Sequence, residues 1–249
     1  MKIGDNMNIK VIDLSKEYKE KEVLYIEELS FKEGYVYALM GLNGSGKTTL
    51  LQCMAGLETV TKGRVLYDNC SYDESVKKEI SVMLQNPYLF NASVIENIII
   101  GLRFRKFSKD IIEEKVGQYV PYFGIEDLLR KNARQLSGGE QAKVSLLRTA
   151  ILETQMTFLD EPTASMDIES TIRAEKLIKD MACGKKSVIL VTHDLLQAER
   201  VADFVIFLDK GRIIEQGETN KVLKFPEHKL LRQILKRSDE NDKDCNINY

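Results

Sequence analysis

The chain has 249 residues, of which 30% are charged and 43% hydrophobic, and its formal net charge is −2. This length suits one large α/β domain with a subdomain grown from it and is too short for two such domains. The balanced charge lacks the basic excess that nucleic-acid binding usually needs, so we expect no nucleic acid among the partners.

The cysteines and the N-terminal stretch exclude further classes of protein. No C-x-x-C spacing occurs, and only two histidines could complete a metal site, so reduced thiols in packing or surface positions are expected. The N-terminus lacks the apolar core of a signal peptide, and no run approaches the roughly 18 apolar residues of a spanning helix. We therefore expect a cytoplasmic protein that reaches a membrane only through a partner. The cysteines are Cys53, Cys70, Cys183 and Cys245.

In chain order, the first predicted elements are two strands joined by a polar link. The strand signals cover 8–14 and 23–31, and the link between them reads KEYKEKE and contains Tyr18. An aromatic ring in such a link could stack on an adenine, because every base offers a π-face. Taken alone, a loop tyrosine is more often a surface anchor, and both interpretations stay open at this point.

The stretch GLNGSGKTT fits the phosphate-binding pattern G-x-x-x-x-G-K-[ST] and lies between a predicted strand and a predicted helix. Its glycines let successive backbone N–H groups converge on one anion, and the helix that begins near Lys47 directs its positive end there. Lys47 brings a cation to the outer phosphates, and the Thr48 hydroxyl suits Mg²⁺. The alternative is a glycine-rich turn that only closes a βα unit. The predicted nucleoside triphosphate site comprises Gly41, Leu42, Asn43, Gly44, Ser45, Gly46, Lys47, Thr48 and Thr49.

A mostly helical region follows. It contains a turn at Pro87, Tyr88 and Phe90, helix patterns over 94–102, 110–120 and 125–129, and a basic link that reads RFRKFSK. Strand signals flank this region on both sides, so we expect an α-helical subdomain inserted at about 86–150. Tyr88 and Phe90 either anchor a partner helix or pack in the core, and the two interpretations weigh about equally.

A second glycine-containing turn, LSGGE over 136–140, opens another predicted helix. Its free N–H groups and the helix dipole make it a second anion site by the same physics as the first. The same residues also fit a capping box, in which the Ser137 hydroxyl and the Glu140 side chain cap the helix. The two interpretations do not exclude each other.

Two acids and a histidine follow predicted buried strands. Asp160 and Glu161 end the strand over 156–159, where the first carboxylate would hold Mg²⁺ and the second would face the γ-phosphate. A solvated turn is the alternative for this pair. His193 follows the strand over 188–191, at the edge where open α/β sheets bind ligands, although a lone histidine is usually incidental.

These motifs, in this order and spacing, resemble the nucleotide-binding subunit of the ATP-binding cassette (ABC) transporter superfamily. The similarity covers about 9–235, and LSGGE is far more specific than the phosphate-binding loop. It implies an α/β fold with a P-loop NTPase core, in which a mixed sheet has a RecA-like parallel part, an antiparallel N-terminal β-subdomain and the inserted α-helical subdomain. A single ATPase domain over 8–235 would precede a polar, disordered tail over 236–249.

The resemblance also implies roles for individual residues. Tyr18 would be the adenine-stacking residue. A partner copy would contact ATP through Ser137, Gly138, Gly139 and Glu140. The catalytic residues would be Lys47, Gln85, Glu161 and His193, and Mg²⁺ would be held by Thr48, Gln85 and Asp160.

The second anion site has a use in a head-to-tail homodimer that shares two ATP molecules between its copies. Within the superfamily, a lone cassette without fused membrane segments resembles an importer ATPase at the cytoplasmic face of the cell membrane. Its partners would be transmembrane permease subunits and, indirectly, an extracytoplasmic solute-binding protein. The motifs are most similar to those of oxyanion importers, first for tungstate and then for phosphate or molybdate. The alternative is a soluble ABC ATPase without transport, which typically has two fused cassettes or a long coiled-coil insertion.

Overall fold

The computed structural model of the protein describes residues 7–86 and 88–235. Its strands are β1 (Ile9–Tyr18), β2 (Lys21–Phe31), β3 (Val36–Gly41), β4 (Lys62–Tyr67), β5 (Ile80–Met83), β6 (Met156–Asp160), β7 (Ser187–Val191), β8 (Phe204–Asp209) and β9 (Arg212–Glu218). Its α-helices include α1 (Lys47–Met54), α2 (Glu74–Lys78), α3 (Val94–Phe104), α4 (Lys109–Tyr119), α5 (Gly138–Ala150), α6 (Ile168–Met181), α7 (Leu195–Val201) and α8 (Thr219–Lys224), and a further helical run begins at 229. Single 3₁₀ turns cover Val120–Tyr122, Glu126–Leu128 and Ala133–Gln135.

Two sheets organise these elements. The larger is mixed, with strand order β5-β6-β7-β3-β8-β9, and only the β8–β9 pair in it is antiparallel. The smaller is antiparallel, with strand order β2-β1-β4. The predicted fold class, a mixed sheet with a parallel part and an antiparallel N-terminal sheet, is therefore confirmed.

The parallel strands are buried on both faces, which explains their continuous apolar sequences. In β7, Val188 and Leu190 pack into a core shared with α3, α5 and α6, whereas Ile189 and Val191 pack into a second core shared with α1 and the smaller sheet. Alternate side chains of one strand thus hold helices against both faces of the sheet. This packing positions α1 and the loops at the carboxyl ends of the strands.

The first hairpin differs from the predicted pair of strands with a polar link. β1 continues to Tyr18, β2 begins at Lys21, and only Lys19 and Glu20 form the turn, with φ of 48° and 64°. The prediction of a loop over KEYKEKE was wrong because antiparallel strands with one solvated face accommodate alternating charged residues. Tyr18 therefore lies at the end of a strand, paired with Lys21.

The helices α3, α4 and α5 lie between β5 and β6 in the chain, as the patterns predicted. A helix over 125–129 was wrong: only the 3₁₀ turn Glu126–Leu128 forms, because Gly124 with φ of 59° precedes a stretch too short to propagate an α-helix. The limits of a subdomain at about 86–150 stay a prediction.

Several predictions concern residues outside the described part of the chain, namely Pro87, Cys245 and the tail over 236–249. The other cysteines are free thiols, with Cys53 buried, Cys70 partly buried and Cys183 exposed. Within 7–86 and 88–235, no helix combines the length and the apolar character that a bilayer-spanning segment requires.

Candidate functional site

A cleft of about 540 Å³ lies beside the loops that follow β3, β5 and β6. The residues that line it are Tyr18, Val23, Asn43, Gly44, Gly46, Lys47, Thr48, Thr49, Gln85 and Glu161. An adjoining cavity of about 410 Å³ brings Gly41, Leu42 and His193 next to Gln85 and Glu161. The structure therefore gathers most of the predicted site residues into one region, although they come from distant parts of the chain.

The glycine loop adopts the backbone conformation that an anion cradle needs. Gly41, Gly44 and Gly46 have φ of 143°, 77° and 101°, values that residues with a Cβ rarely adopt. α1 begins directly after Gly46, and no side chain caps its first turn, which also contains no acidic residue. Its first N–H groups therefore face the cleft region without an internal anion.

Lys47 and Ser45 supply further groups that an anion would satisfy. The Lys47 side chain is buried and its ammonium donates to the carbonyl oxygens of Gly41 and Leu42, at 2.9 and 3.1 Å. Burial lowers the pKa of Lys47, opposed by the nearby Glu161 and Asp160 carboxylates. The Ser45 hydroxyl is buried and lacks a hydrogen-bond partner. A phosphate in the loop would relieve both the desolvated cation and the unpaired hydroxyl.

Thr48 and Asp160 fit a Mg²⁺ ion. The Thr48 hydroxyl donates to one Asp160 carboxylate oxygen at 3.0 Å, while the other carboxylate oxygen is buried without a partner. Burial raises the pKa of Asp160, and the Thr48 hydrogen bond opposes that effect. Among the described residues, no group of three or more His, Cys, Asp or Glu side chains is placed to hold a metal ion.

Glu161 is held in place from two sides. One carboxylate oxygen lies 3.2 Å from Nδ1 of His193, and the other accepts a hydrogen bond from Nε2 of Gln85 at 3.3 Å. The backbone N–H of Glu161 donates to Val191 at the end of the neighbouring strand, and its φ is 47°, an uncommon value for a residue with a side chain. The carboxylate is mostly buried and borders the cleft. Such a clamped carboxylate can orient a water molecule or accept its proton.

Gln85 and His193 thus contact the same carboxylate, so three of the predicted catalytic residues lie together. The role of Gln85 as a Mg²⁺ ligand stays a prediction.

Tyr18 lines the cleft with 44% of its surface exposed. Its ring is therefore accessible to a stacking partner. Two neighbours escaped the sequence analysis: Val23, which also lines the cleft, and Lys16, whose ammonium lies over the Tyr18 ring. Val23 carries no motif, since only the hairpin pairing brings it there. Lys16 lay in the stretch that was predicted as a polar link, so the sequence carried no strand signal that would place it beside Tyr18.

The second glycine turn lies apart from the cleft in the same chain, since none of its residues lines it. Ser137 and Glu140 form the predicted capping box: the Ser137 N–H and hydroxyl both donate to the Glu140 carboxylate at 2.8 Å, and the Glu140 N–H donates to the Ser137 hydroxyl at 3.4 Å. A Cβ on Gly139 would lie 2.8 Å from the carbonyl oxygen of Ser165, so the turn packs closely against the loop before α6. The capping interpretation is confirmed, and the anion site remains a prediction.

Known proteins with similar sequences and structures are ATP-binding proteins of transporters. The family model described as ABC transporter matches residues 26–164. The tungstate uptake system ATP-binding protein TupC of Peptoclostridium acidaminophilum is 39% identical, over 84% of this chain and 98% of that protein. The L-cystine import ATP-binding protein TcyC of Bacillus subtilis (strain 168) is 32% identical, over 90% of this chain and 96% of that protein. The solved structure of cbiO1 from Clostridium perfringens, described as part of the ABC transporter complex cbiONQ, has a TM-score of 0.77 at 30% identity and covers 97% of this chain and 100% of that one.

Proposed function

The chain belongs to the ABC transporter family, whose ATP-binding subunits are ATPases, and from this premise we propose that it is the ATP-hydrolysing subunit of an importer. One observation carries the proposal. The Glu161 carboxylate is clamped by Gln85 and His193 at the border of a cleft that also contains Lys47 and Thr48. A phosphate cradle, a cation and an oriented base on one cleft are the parts that phosphoryl transfer to water requires.

Each of these groups has a chemical task. The N–H groups of the glycine loop and the Lys47 ammonium bind the triphosphate and stabilise the charge that grows on the transferred phosphoryl group. Glu161 orients the attacking water and accepts its proton, a contribution of about 10²- to 10⁴-fold for a general base. His193 contacts the same carboxylate, and its proposed task is to sense the γ-phosphate. Thr48 and Asp160 would hold Mg²⁺, which neutralises charge on the phosphate oxygens.

We propose that hydrolysis takes place in a head-to-tail homodimer. The turn at Ser137 and Gly139 does not line its own cleft, yet it presents the N-terminus of α5. In a twofold dimer, this turn of one copy would close over the phosphates bound by the other, so both copies complete each site. Hydrolysis transfers the γ-phosphoryl group to water and leaves ADP, and release of the inorganic phosphate then allows the copies to separate.

The permease is proposed to bind at the turn before α3. Tyr88 and Phe90 are 64% and 43% exposed, and their rings make an edge-to-face contact with centroids 5.7 Å apart. Arg134 donates to the Tyr88 hydroxyl at 2.7 Å, and Arg148 donates to the Tyr88 carbonyl at 2.8 Å, so the exposed tyrosine is held firmly. Core packing of these two rings, the alternative from the sequence, was wrong. A rigid exposed aromatic pair suits an amphipathic helix of a permease at the cytoplasmic face of the membrane.

For the cargo we propose an oxyanion, with tungstate first and phosphate or molybdate next. The 39% identity with TupC over nearly its whole length supports this choice. The 32% identity with TcyC, an L-cystine import protein, supports only the coarser function of an importer ATPase. Cargo would be bound by the permease and an extracytoplasmic binding protein. None of the relatives reported above favours a soluble ATPase without transport.

The test is Glu161→Gln, which keeps the size of the side chain but removes the base. We expect the variant to bind ATP, to hydrolyse it about 10²- to 10⁴-fold more slowly and to accumulate as a dimer. Phosphate release and light scattering after gel filtration measure the two effects. Glu169→Gln is the matched control, because Glu169 is an exposed glutamate that pairs with Arg173 on α6. Undiminished turnover of Glu161→Gln would refute the role of Glu161.

The cargo has its own test, which leaves the ATPase question untouched. The chain is co-expressed with the permease and binding protein that are proposed as its partners, and ATP-dependent uptake into vesicles is measured for tungstate, phosphate and cystine. ATP-dependent uptake of tungstate supports the proposed cargo. Uptake of cystine alone would overturn the proposal of an oxyanion cargo and leave the proposal of an importer ATPase in place.

A further inference from the structure

Lys16 is a buried lysine whose charge lies against the ring of Tyr18. Its side chain is only 8% exposed, and its ammonium donates to the Glu58 carboxylate and to the carbonyl oxygen of Thr59, both at 2.7 Å. The third side of the ammonium faces the Tyr18 ring, with 4.8 Å between Nζ and the ring centroid. The three donor directions of the ammonium are thus occupied by a carboxylate, a carbonyl and an aromatic face.

The local structure explains this position. Lys16 and Tyr18 lie two residues apart on β1, and although the β1–β2 register shifts between Lys16 and Glu17, the Lys16 ammonium reaches the Tyr18 ring. Glu58 lies in the turn after α1, where its N–H donates to the Gln52 carbonyl at 3.1 Å. The ammonium therefore connects the turn after α1, the helix that starts at the phosphate-binding loop, to an aromatic ring that lines the cleft.

Lys10, another lysine of β1, forms an ion pair without being buried, so burial is not a general feature of the lysines on this strand. Lys10 also forms an ion pair, with Glu28 at 2.7 Å, but both of these side chains are largely exposed. A surface pair such as this one contributes little. Burying a lysine is unfavourable unless its charge is fully paired, and at Lys16 the partners are in place. The hydrogen bond to Glu58 also raises the pKa of Lys16, so the ammonium stays charged at neutral pH.

We propose that Lys16 is a positioning residue for the nucleotide base: its ammonium occupies one face of the Tyr18 ring and leaves the opposite face to adenine. This inference rests on the proposed function, since it assumes that the cleft binds ATP. A cation on one face of a tyrosine ring is attracted to the π-electrons and fixes the plane of the ring. A ring fixed in advance loses less freedom when a base stacks on it, so the interaction favours binding.

If Lys16 positions the Tyr18 ring, its loss should weaken binding of the nucleotide base and leave binding of the phosphates unchanged. Lys16→Met keeps the aliphatic stem and removes the charge, so the ring would lose its support while the phosphate cradle stays intact. We expect the KM for ATP to rise about 3- to 10-fold with little change in kcat, as the loss of a cation–π contact and part of a stacking contact implies. Inorganic tripolyphosphate, which has no base, should inhibit the variant and the wild type equally.

Two further variants separate positioning from general damage. In a Tyr18→Ala background, Lys16→Met should not raise the KM further, because the ring on which it acts is gone. Lys10→Met, the control, should leave the KM unchanged. If Lys16→Met fails to fold, Glu58→Gln replaces it: the variant keeps the lysine but loosens it, and the KM for ATP should rise by a smaller factor.

The outcomes are distinct from those that test the proposed function. A wild-type protein that neither binds nor hydrolyses ATP would overturn the proposed function and this inference together. An active wild type with an unchanged KM in both Lys16→Met and Glu58→Gln would overturn the positioning role alone. Equal weakening of ATP and tripolyphosphate binding, or additive effects with Tyr18→Ala, would also overturn it, since a purely structural lysine acts in that way.

Discussion

The N-termini of α1 and α5 look alike in sequence and differ in structure. Each follows a glycine-containing turn that was predicted to bind an anion. α1 starts at Gly46 without a capping side chain or an acidic residue in its first turn, and the buried Ser45 hydroxyl beside it has no partner. α5 starts at Ser137, whose N–H and hydroxyl both donate to the carboxylate of Glu140.

The two helices differ in whether an anion of the chain itself lies at their N-terminal N–H groups. The α1 terminus has no anion of its own, so a phosphate adds interactions that the chain alone leaves unmade. The α5 terminus already holds the carboxylate of Glu140, so a phosphate there must share the Ser137 hydroxyl with that carboxylate. We infer that α1 binds the triphosphate in a single subunit, whereas α5 contributes only when a partner presents a phosphate already bound.

Between the two helix termini, the largest expected effect comes from removing the cation at the α1 terminus. Lys47→Ala should lower ATP hydrolysis about 10²- to 10³-fold, because the charge on the transferred phosphoryl group loses its nearest protein cation. Lys109→Ala is the matched control: Lys109 is also the first residue of a helix, but that helix is capped by Ser108 and the lysine is largely exposed. The measurement is steady-state phosphate release. Equal losses of ATP hydrolysis in both variants would contradict a special role for the uncapped N-terminus of α1.

At Asp160 we expect a moderate loss of ATP hydrolysis together with a gain in the stability of the ligand-free chain. Asp160→Asn should lower Mg²⁺-dependent hydrolysis about 10²-fold, because the buried carboxylate that fits the ion is lost. The ligand-free variant should nevertheless be more stable, since burial raises the pKa of Asp160 and one of its oxygens has no partner. A gain of about 1 kcal/mol corresponds to a rise in Tm of about 2–4 °C for a chain of this size. Calorimetry without nucleotide measures it.

The pH dependence of this gain provides the check. With its pKa raised in the folded state, Asp160 binds more protons in the folded chain than in the unfolded one, so stability falls as pH rises through the raised pKa. The advantage of Asp160→Asn should therefore be full at neutral pH and shrink in acid, where the wild-type carboxyl is neutral. A difference in Tm that does not change with pH would contradict burial of the charge as its cause.

The smallest effects are expected at the α5 terminus. Ser137→Ala should cost about 1 kcal/mol of stability through the lost cap, leave ATP binding by a single subunit unchanged and weaken ATP-dependent dimerisation. Glu140→Gln keeps the capping geometry and removes the charge, so dimers should form at lower protein concentration. Dimer formation is measured by analytical ultracentrifugation with ATP, and unchanged dimerisation in both variants would contradict a role for α5.

The Glu140 cap should also depend on pH. Hydrogen bonds from Ser137 lower the pKa of Glu140, so the stability that this carboxylate adds to the folded chain is present at neutral pH and is lost as pH falls through that lowered pKa.

Local patterns predicted much of this molecule. The glycine loop, the buried strands and the capping box at Ser137 follow from backbone freedom, apolar runs and helix-end chemistry, all of which act within a few residues. The errors were local too. The polar link around Tyr18 was predicted as a loop because alternation of charged residues resembles a turn, and the helix over 125–129 because a short apolar run does not reveal its length.

The amino-acid sequence by itself determined the order of the elements, the glycine loop at 41–49 and the family to which the chain belongs. Only the tertiary structure decided which side chains meet. Gln85, Glu161 and His193 follow three different strands, and their contact depends on neighbouring strands in the sheet order β5-β6-β7. The ammonium of Lys16 likewise lies over Tyr18 and reaches Glu58 only because the smaller sheet packs against α1. Such contacts depend on the packing of distant segments, and no pattern within a short stretch of sequence contains that information.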